Sequence, residues 1–114
     1  MRPQLKSGTL ADGMGIDVQL RQRDEILAEV GDPKMVLSHA ARSSAFAQTR
    51  LLKYLTPWGD AIFNEAQAED LNADIADVRR AHGDPQLVEM LSRLEPLVAR
   101  LSEETHAYLW FVGD

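Results

Sequence analysis

The stretch YLTPWGDAIFNEAQ, residues 54–67, sets a proline, a tryptophan, a glycine and an aspartate in a row ahead of an apolar pair and an asparagine. It reads as the start of a helix. Thr56 has the side-chain oxygen of an N-cap, Pro57 lacks the amide that a first turn leaves unpaired, and Asp60 puts negative charge at the positive end of the helix dipole. Gly59 lets another element approach closely. An apolar stripe of Phe63, Ala66, Leu71, Ile75 and Val78 then runs on, with Glu65, Glu69, Asp70, Asp74 and Asp77 mostly outside it. The pattern predicts a helix over 58–81, stopped by His82-Gly83, where glycine suits a left-handed turn.

Upstream, Ile16, Val18 and Leu20 alternate with Asp17, Gln19 and Arg21, the pattern of a half-buried strand. Ile26, Ala28 and Val30 repeat it after a polar break. The two runs predict a hairpin over 16–21 and 26–31, with Val18 opposite Ala28 and Leu20 opposite Ile26. Asp32-Pro33 caps a short helix over 33–43. Downstream, Asp84-Pro85 repeats that cap, and Leu87, Val88, Leu91, Leu94, Val98 and Leu101 mark a helix over 85–104, with a kink or break at 92–95 ahead of Pro96. The aromatic run YLWFV, 108–112, predicts a last strand over 107–112, apolar on both faces and so either central or covered. The fold class is α+β: a small antiparallel sheet, made of the N-terminal hairpin and the C-terminal strand beside the 16–21 run, packed against about three helices.

The chain has 114 residues, room for one ordinary domain. Residues 1–13 are polar and read as an N-terminal arm, leaving 14–114 as the domain. The absence of cysteine excludes disulfides, thiolate metal sites and a cysteine nucleophile. No apolar run nears the ~18 residues of a membrane span, and no hydrophobic block follows the basic N-terminus, so the expected location is cytoplasmic. A net charge of −6 argues against nucleic acid as partner and suits a basic protein.

The segments MGIDVQLR (14–21), PWGDAIFNEAQ (57–67) and YLWFVGD (108–114) together resemble a family of small uncharacterised bacterial proteins of the integron-cassette, mobile-element type. They share a proline, an aromatic residue, Gly-Asp and Phe-Asn at the centre and an aromatic strand ending in Gly-Asp. The resemblance covers 14–114 and implies a domain boundary at Met14, with no mechanism attached.

Catalytic and metal signatures are absent from the sequence. His39, His82 and His106 match no compact metal spacing, and there is no nucleophile elbow, phosphate loop or dinucleotide fingerprint. Asp70, Asp74 and Asp77 share one helical face, which reads as solvated because no loop supplies the other oxygens a hard cation needs. The best residual constellation for catalysis is Asp60, Asn64, His106 and Asp114. No cofactor and no metal are expected. The aromatic strand carries more: if helices cover Leu109 and Phe111, then Tyr108 and Trp110 lie on the other face beside Asp17, Gln19 and Arg21, where a partner or the arm's Leu5 and Leu10 covers them. The leading expectation is a non-catalytic interaction protein, a homodimer or an immunity- or antitoxin-like binder of a basic partner. The alternative is a small-molecule-binding or hydrolytic protein with a pocket at the TPWGD stretch built from Trp58, Asp60, Asn64 and Trp110.

Overall fold

The computed structural model describes residues 15–113, and its architecture is a four-stranded antiparallel sheet with its helices on one face. The hairpin β1 (Asp17–Gln22) and β2 (Glu25–Val30) leads into a short helix α1 (Val36–Arg42). Strand β3 (Asp60–Asn64) follows, then α2 (Ala68–Ala81), α3 (Pro85–Glu103) and β4 (Ala107–Val112). The order across the sheet is β2-β1-β4-β3, so β4 is central.

The predicted helix over 58–81 is corrected in its first part. Residues 60–64 are a strand, a 3-10 turn occupies Glu65–Gln67, and the α-helix begins at Ala68. Two physical reasons decide this. The short-range pattern has period two: Phe63 is buried and Ala61 half-buried toward the helices, while Asp60, Ile62 and Asn64 face away and Ala66 is exposed. Strand β4 also offers a row of backbone donors and acceptors on the side away from β1, and β3 satisfies them. The helix signal that the stripe conceals is a capping box: the Asn64 side chain takes the Gln67 amide, and the Gln67 side chain takes the Asn64 amide at 2.9 Å.

The hairpin forms where the alternation places it, with a different register. Val18 pairs with Val30 and Leu20 with Ala28, and a bulge between Leu20 and Arg21 brings Ile26 opposite Arg21. The turn is two residues, Arg23 and Asp24, with Arg23 at φ 57°. The bulge packs both Leu27 and Ala28 toward the core and swings Ile26 out to the other face.

One core joins the layers. Val18, Leu20, Leu109, Phe111 and Phe63 from the sheet meet Leu71, Ile75 and Val78 of α2 and Leu87, Leu91, Leu94, Val98 and Leu101 of α3. Phe63 meets Phe111 edge to face, with centroids 5.7 Å apart; each such buried ring contributes about 1.5–3 kcal/mol over exposure. Arg79 of α2 ties to α3 through Glu95 at 3.0 Å and Ser92 at 3.3 Å, and its bond to Glu95 raises its pKa further above the ordinary value.

Asp84 caps α3 through the Gln86 amide at 3.0 Å, as its pairing with Pro85 predicts. Helix α3 continues through Pro96 without the predicted break, because Pro96 and Ser92, whose carbonyl loses its donor, both lie on the exposed side. Helix α1 begins at residue 36 rather than 33. Buried Asp32 still caps it, accepting from the amides of Val36, Leu37 and Ser38 and from Ile16 at the mouth of β1. Helix α2 ends at Ala81 in extended backbone, and Gly83 does not adopt the left-handed conformation foreseen for it.

Candidate functional site: the open face of the sheet

With the helices on one face, alternate residues of four strands are left on the other. Gln19 of β1 pairs with Trp110 of β4, and Trp110 pairs with Ile62 of β3, so these three form one row across the sheet. Two residues along, Arg21, Tyr108 and Asn64 form a second row, extended to β2 by Ile26. In the other direction Asp17, Val112 and Asp60 form a third. The placement of Tyr108 and Trp110 beside Asp17, Gln19 and Arg21 agrees with the sequence reading.

The Arg21 guanidinium lies 4.0 Å over the Trp110 ring and donates through Nε to the Gln19 side-chain oxygen at 2.8 Å. Gln19 in turn donates to Glu29 at 2.8 Å. This chain holds the indole flat and half-buried. Around it Tyr108 is 47 % exposed, Ile62 45 % and Ile26 51 %, side chains that a sheet facing only water seldom carries together. Ile26 and Ile62 were not foreseen. The Asp60–Asn64 alternation was the signal for Ile62, whereas Ile26 reaches this face only through the bulge.

The four residues proposed for a pocket do not gather in one. Asp60 and Asn64 share a strand face at its opposite ends, about 13 Å apart at 3.3 Å per residue, and are not successive turns of a helix. Trp58 is 65 % exposed in the turn before β3. Trp110 belongs to the central row. With β3 in place of a helix start, the dipole argument for Asp60 no longer applies.

The TPWGD stretch has a structural task that the sequence did not reveal. The Gly113 amide donates to the Gly59 carbonyl at 3.0 Å. A Cβ on Gly113 would stand 2.5 Å from that oxygen and 2.7 Å from the carbonyl oxygens of Pro57 and Thr56. The glycines of the two Gly-Asp pairs, at 59–60 and 113–114, thus meet across the sheet, and the turn encloses the end of β4 so closely that only glycine fits. The turn at 56–59 and the end of β4 form one clamp.

Of the residual catalytic constellation, Asn64 and His106 line a shallow depression of about 530 Å³ with Glu65, Ala66 and Tyr108, while Asp60 is at the far end of β3. Asp114, Leu5 and Leu10 lie outside the described residues. Asp74 is not part of a solvated face. It is wholly buried and accepts the amides of Arg50, Leu51 and Leu52 at 2.9, 2.7 and 3.2 Å. The Arg50 guanidinium stands within 3.7–3.8 Å of Asp70, Asp74 and Asp77, where a cation would have to sit. Among the described residues no group of three His, Asp or Glu side chains is placed to hold a metal ion, and no helix is long and apolar enough to cross a membrane.

Helices on one face of an antiparallel sheet, with an apolar patch on the other, define the chain as a two-layer α+β protein. Comparison with known proteins returns no significant match to a family model, a curated protein or a solved structure.

Proposed function

We propose that this protein is a non-catalytic interaction module that pairs with a second copy of itself, open sheet face to open sheet face. The observation that carries the reading is the apolar patch of that face, with exposed Tyr108, Ile62 and Ile26 around half-buried Trp110. A two-fold axis lying in the interface along the Gln19–Trp110–Ile62 row exchanges the rows on either side of it. Trp110 and Ile62 then lie over the same residues of the partner. Apolar meets apolar in both halves at once.

Edge pairing is the weaker route. Strand β3 begins three residues after Pro57, carries Asp60, and has its Asn64 amide taken by Gln67, the devices that blunt a sheet edge. The alternative of a basic protein partner has support in the −6 charge alone. The mobile-element resemblance belongs to the same reading, and an adjacent toxin gene would favour the basic partner.

The face is small. Four strands about 4.8 Å apart and six residues long at about 3.3 Å each give roughly 400 Å² per copy. That is about 800 Å² per pair, against the ~1,200 Å² at which stable interfaces begin. Pairing of this kind is transient, with a dissociation constant on the order of 10–100 μM. Light scattering over about 10–500 μM protein tests it. The mass is expected to rise toward twice that of the chain, and Ile62→Glu is expected to hold it at the monomer. A monomer throughout, or a dimer indifferent to Ile62→Glu, would defeat the proposal.

A further inference from the structure

We infer that the groove between α1 and the turn joining α2 to α3 is a binding site for a small organic carboxylate. The groove encloses about 430 Å³, in the range of small-ligand sites, and no part of it belongs to the open sheet face. Its apolar floor is Val36, Ala40 and Leu87; its walls carry Lys34, His39 and His82.

The state of the polar groups around it is what points to a ligand. Ser43 and Asp84, which also line the groove, are already committed: the Ser43 hydroxyl donates to the Ala40 carbonyl and accepts from the Ala45 amide, and Asp84 accepts from Gln86. Lys34, His39 and His82 hold no side-chain hydrogen bond or ion pair among the described residues. Elsewhere among the described residues Arg50, Arg79, Arg80, Arg93 and Arg100 each face a carboxylate, whereas Arg23, Arg42 and Lys53 face none. In a protein of net charge −6, three basic side chains left without an acceptor thus converge on one concavity, opposed there by a single carboxylate. An imidazole donates an N–H whether neutral or charged, and an ammonium donates three, so the walls suit two acceptor oxygens. The floor suits a hydrocarbon body, which separates an organic acid from an inorganic anion. A metal is excluded as occupant by ligand placement, since His39, His82 and Asp84 do not form a metal-holding group.

The test is an amide NMR titration of the whole chain with benzoate, beside benzyl alcohol and inorganic phosphate at the same pH. Benzoate is expected to shift Val36, His39, His82 and Leu87 saturably, with a dissociation constant on the order of 1–10 mM for so small a probe. Benzyl alcohol and phosphate, each lacking one half of the recognition, are expected to bind about tenfold more weakly or worse. Lys34→Gln should weaken benzoate at least about threefold. Asp84→Asn keeps a capping oxygen and removes the opposing charge, so it should tighten benzoate by a similar factor. Benzoate shifts absent from the groove would overturn the assignment. So would benzyl alcohol or phosphate binding as tightly as benzoate, or an affinity indifferent to both substitutions. The sheet-face reading stands or falls separately.

Discussion

Replacing Asp74 with alanine is expected to be among the most damaging changes outside the apolar core. The carboxylate is wholly buried and ends three backbone amides, those of Arg50, Leu51 and Leu52, on the segment that follows α1. Each hydrogen bond to a charged acceptor contributes about 1.5–3 kcal/mol, and a buried donor left without an acceptor costs a similar amount. Three such bonds give roughly 5–9 kcal/mol if fully desolvated. Arg50 is exposed and Leu51 half-buried, so water reaches part of the site and a loss of about 3–4 kcal/mol is expected. A domain of this size is stable by about 5–15 kcal/mol, so the variant should fold but weakly. Urea unfolding followed by far-ultraviolet circular dichroism reads the effect: at about 1.5 kcal/mol per molar urea, the midpoint should fall by roughly 2 M. Asp70→Ala and Asp77→Ala, which remove only exposed pairings with Arg50 and, for Asp77, with Arg80, should each change stability by less than about 0.5 kcal/mol. If Asp74→Ala were no worse than these two, the claim that Asp74 anchors the 50–52 backbone would be refuted.

Gly113→Ala should destabilise by about 1–3 kcal/mol, because its methyl group meets three carbonyl oxygens of the 56–59 turn; an unchanged melting midpoint would show that the clamp opens freely. Asn64→Ala removes one half of the capping box ahead of α2 and should cost about 1 kcal/mol in the same unfolding assay. Pro96→Ala restores a backbone donor inside an unbroken helix and should raise stability by about 1–3 kcal/mol; a loss instead would mean that the proline shapes α3.

The elements with strong local signals were legible in the sequence. Ile16, Val18 and Leu20 marked β1, Asp84-Pro85 marked the start of α3, and the YLWFV run marked β4. The doubly apolar character of β4 was compatible with its central position, and equally with a covered face. Its second neighbour was hidden, because Phe63 fits a period of two and the continuing stripe of Leu71 and Ile75 equally well. With Pro57 and Asp60 resembling helix-start chemistry, the local evidence favoured the wrong element until the pairing demand of β4 overrode it. The asparagine and glutamine at 64 and 67 were the correct start signal, three residues apart. Of the candidate site, Tyr108 and Trp110 could be placed on an open face from alternation alone. Ile26 could not, since its exposure depends on a bulge that no residue type specifies. Asp74 looked like one more surface acid because its ligands are backbone amides of a distant segment, which leave no trace in side-chain identity.

The proposed pairing of two copies runs through the Gln19–Trp110–Ile62 row. Its most direct test is an isotope-filtered nuclear Overhauser experiment on an equal mixture of labelled and unlabelled chain, at a concentration above the expected dissociation constant. Intermolecular contacts are expected from the Ile62 methyl groups to the Trp110 and Ile62 side chains of the other copy. Contacts confined to the helical layer, or none at a concentration where scattering shows a dimer, would contradict that pairing.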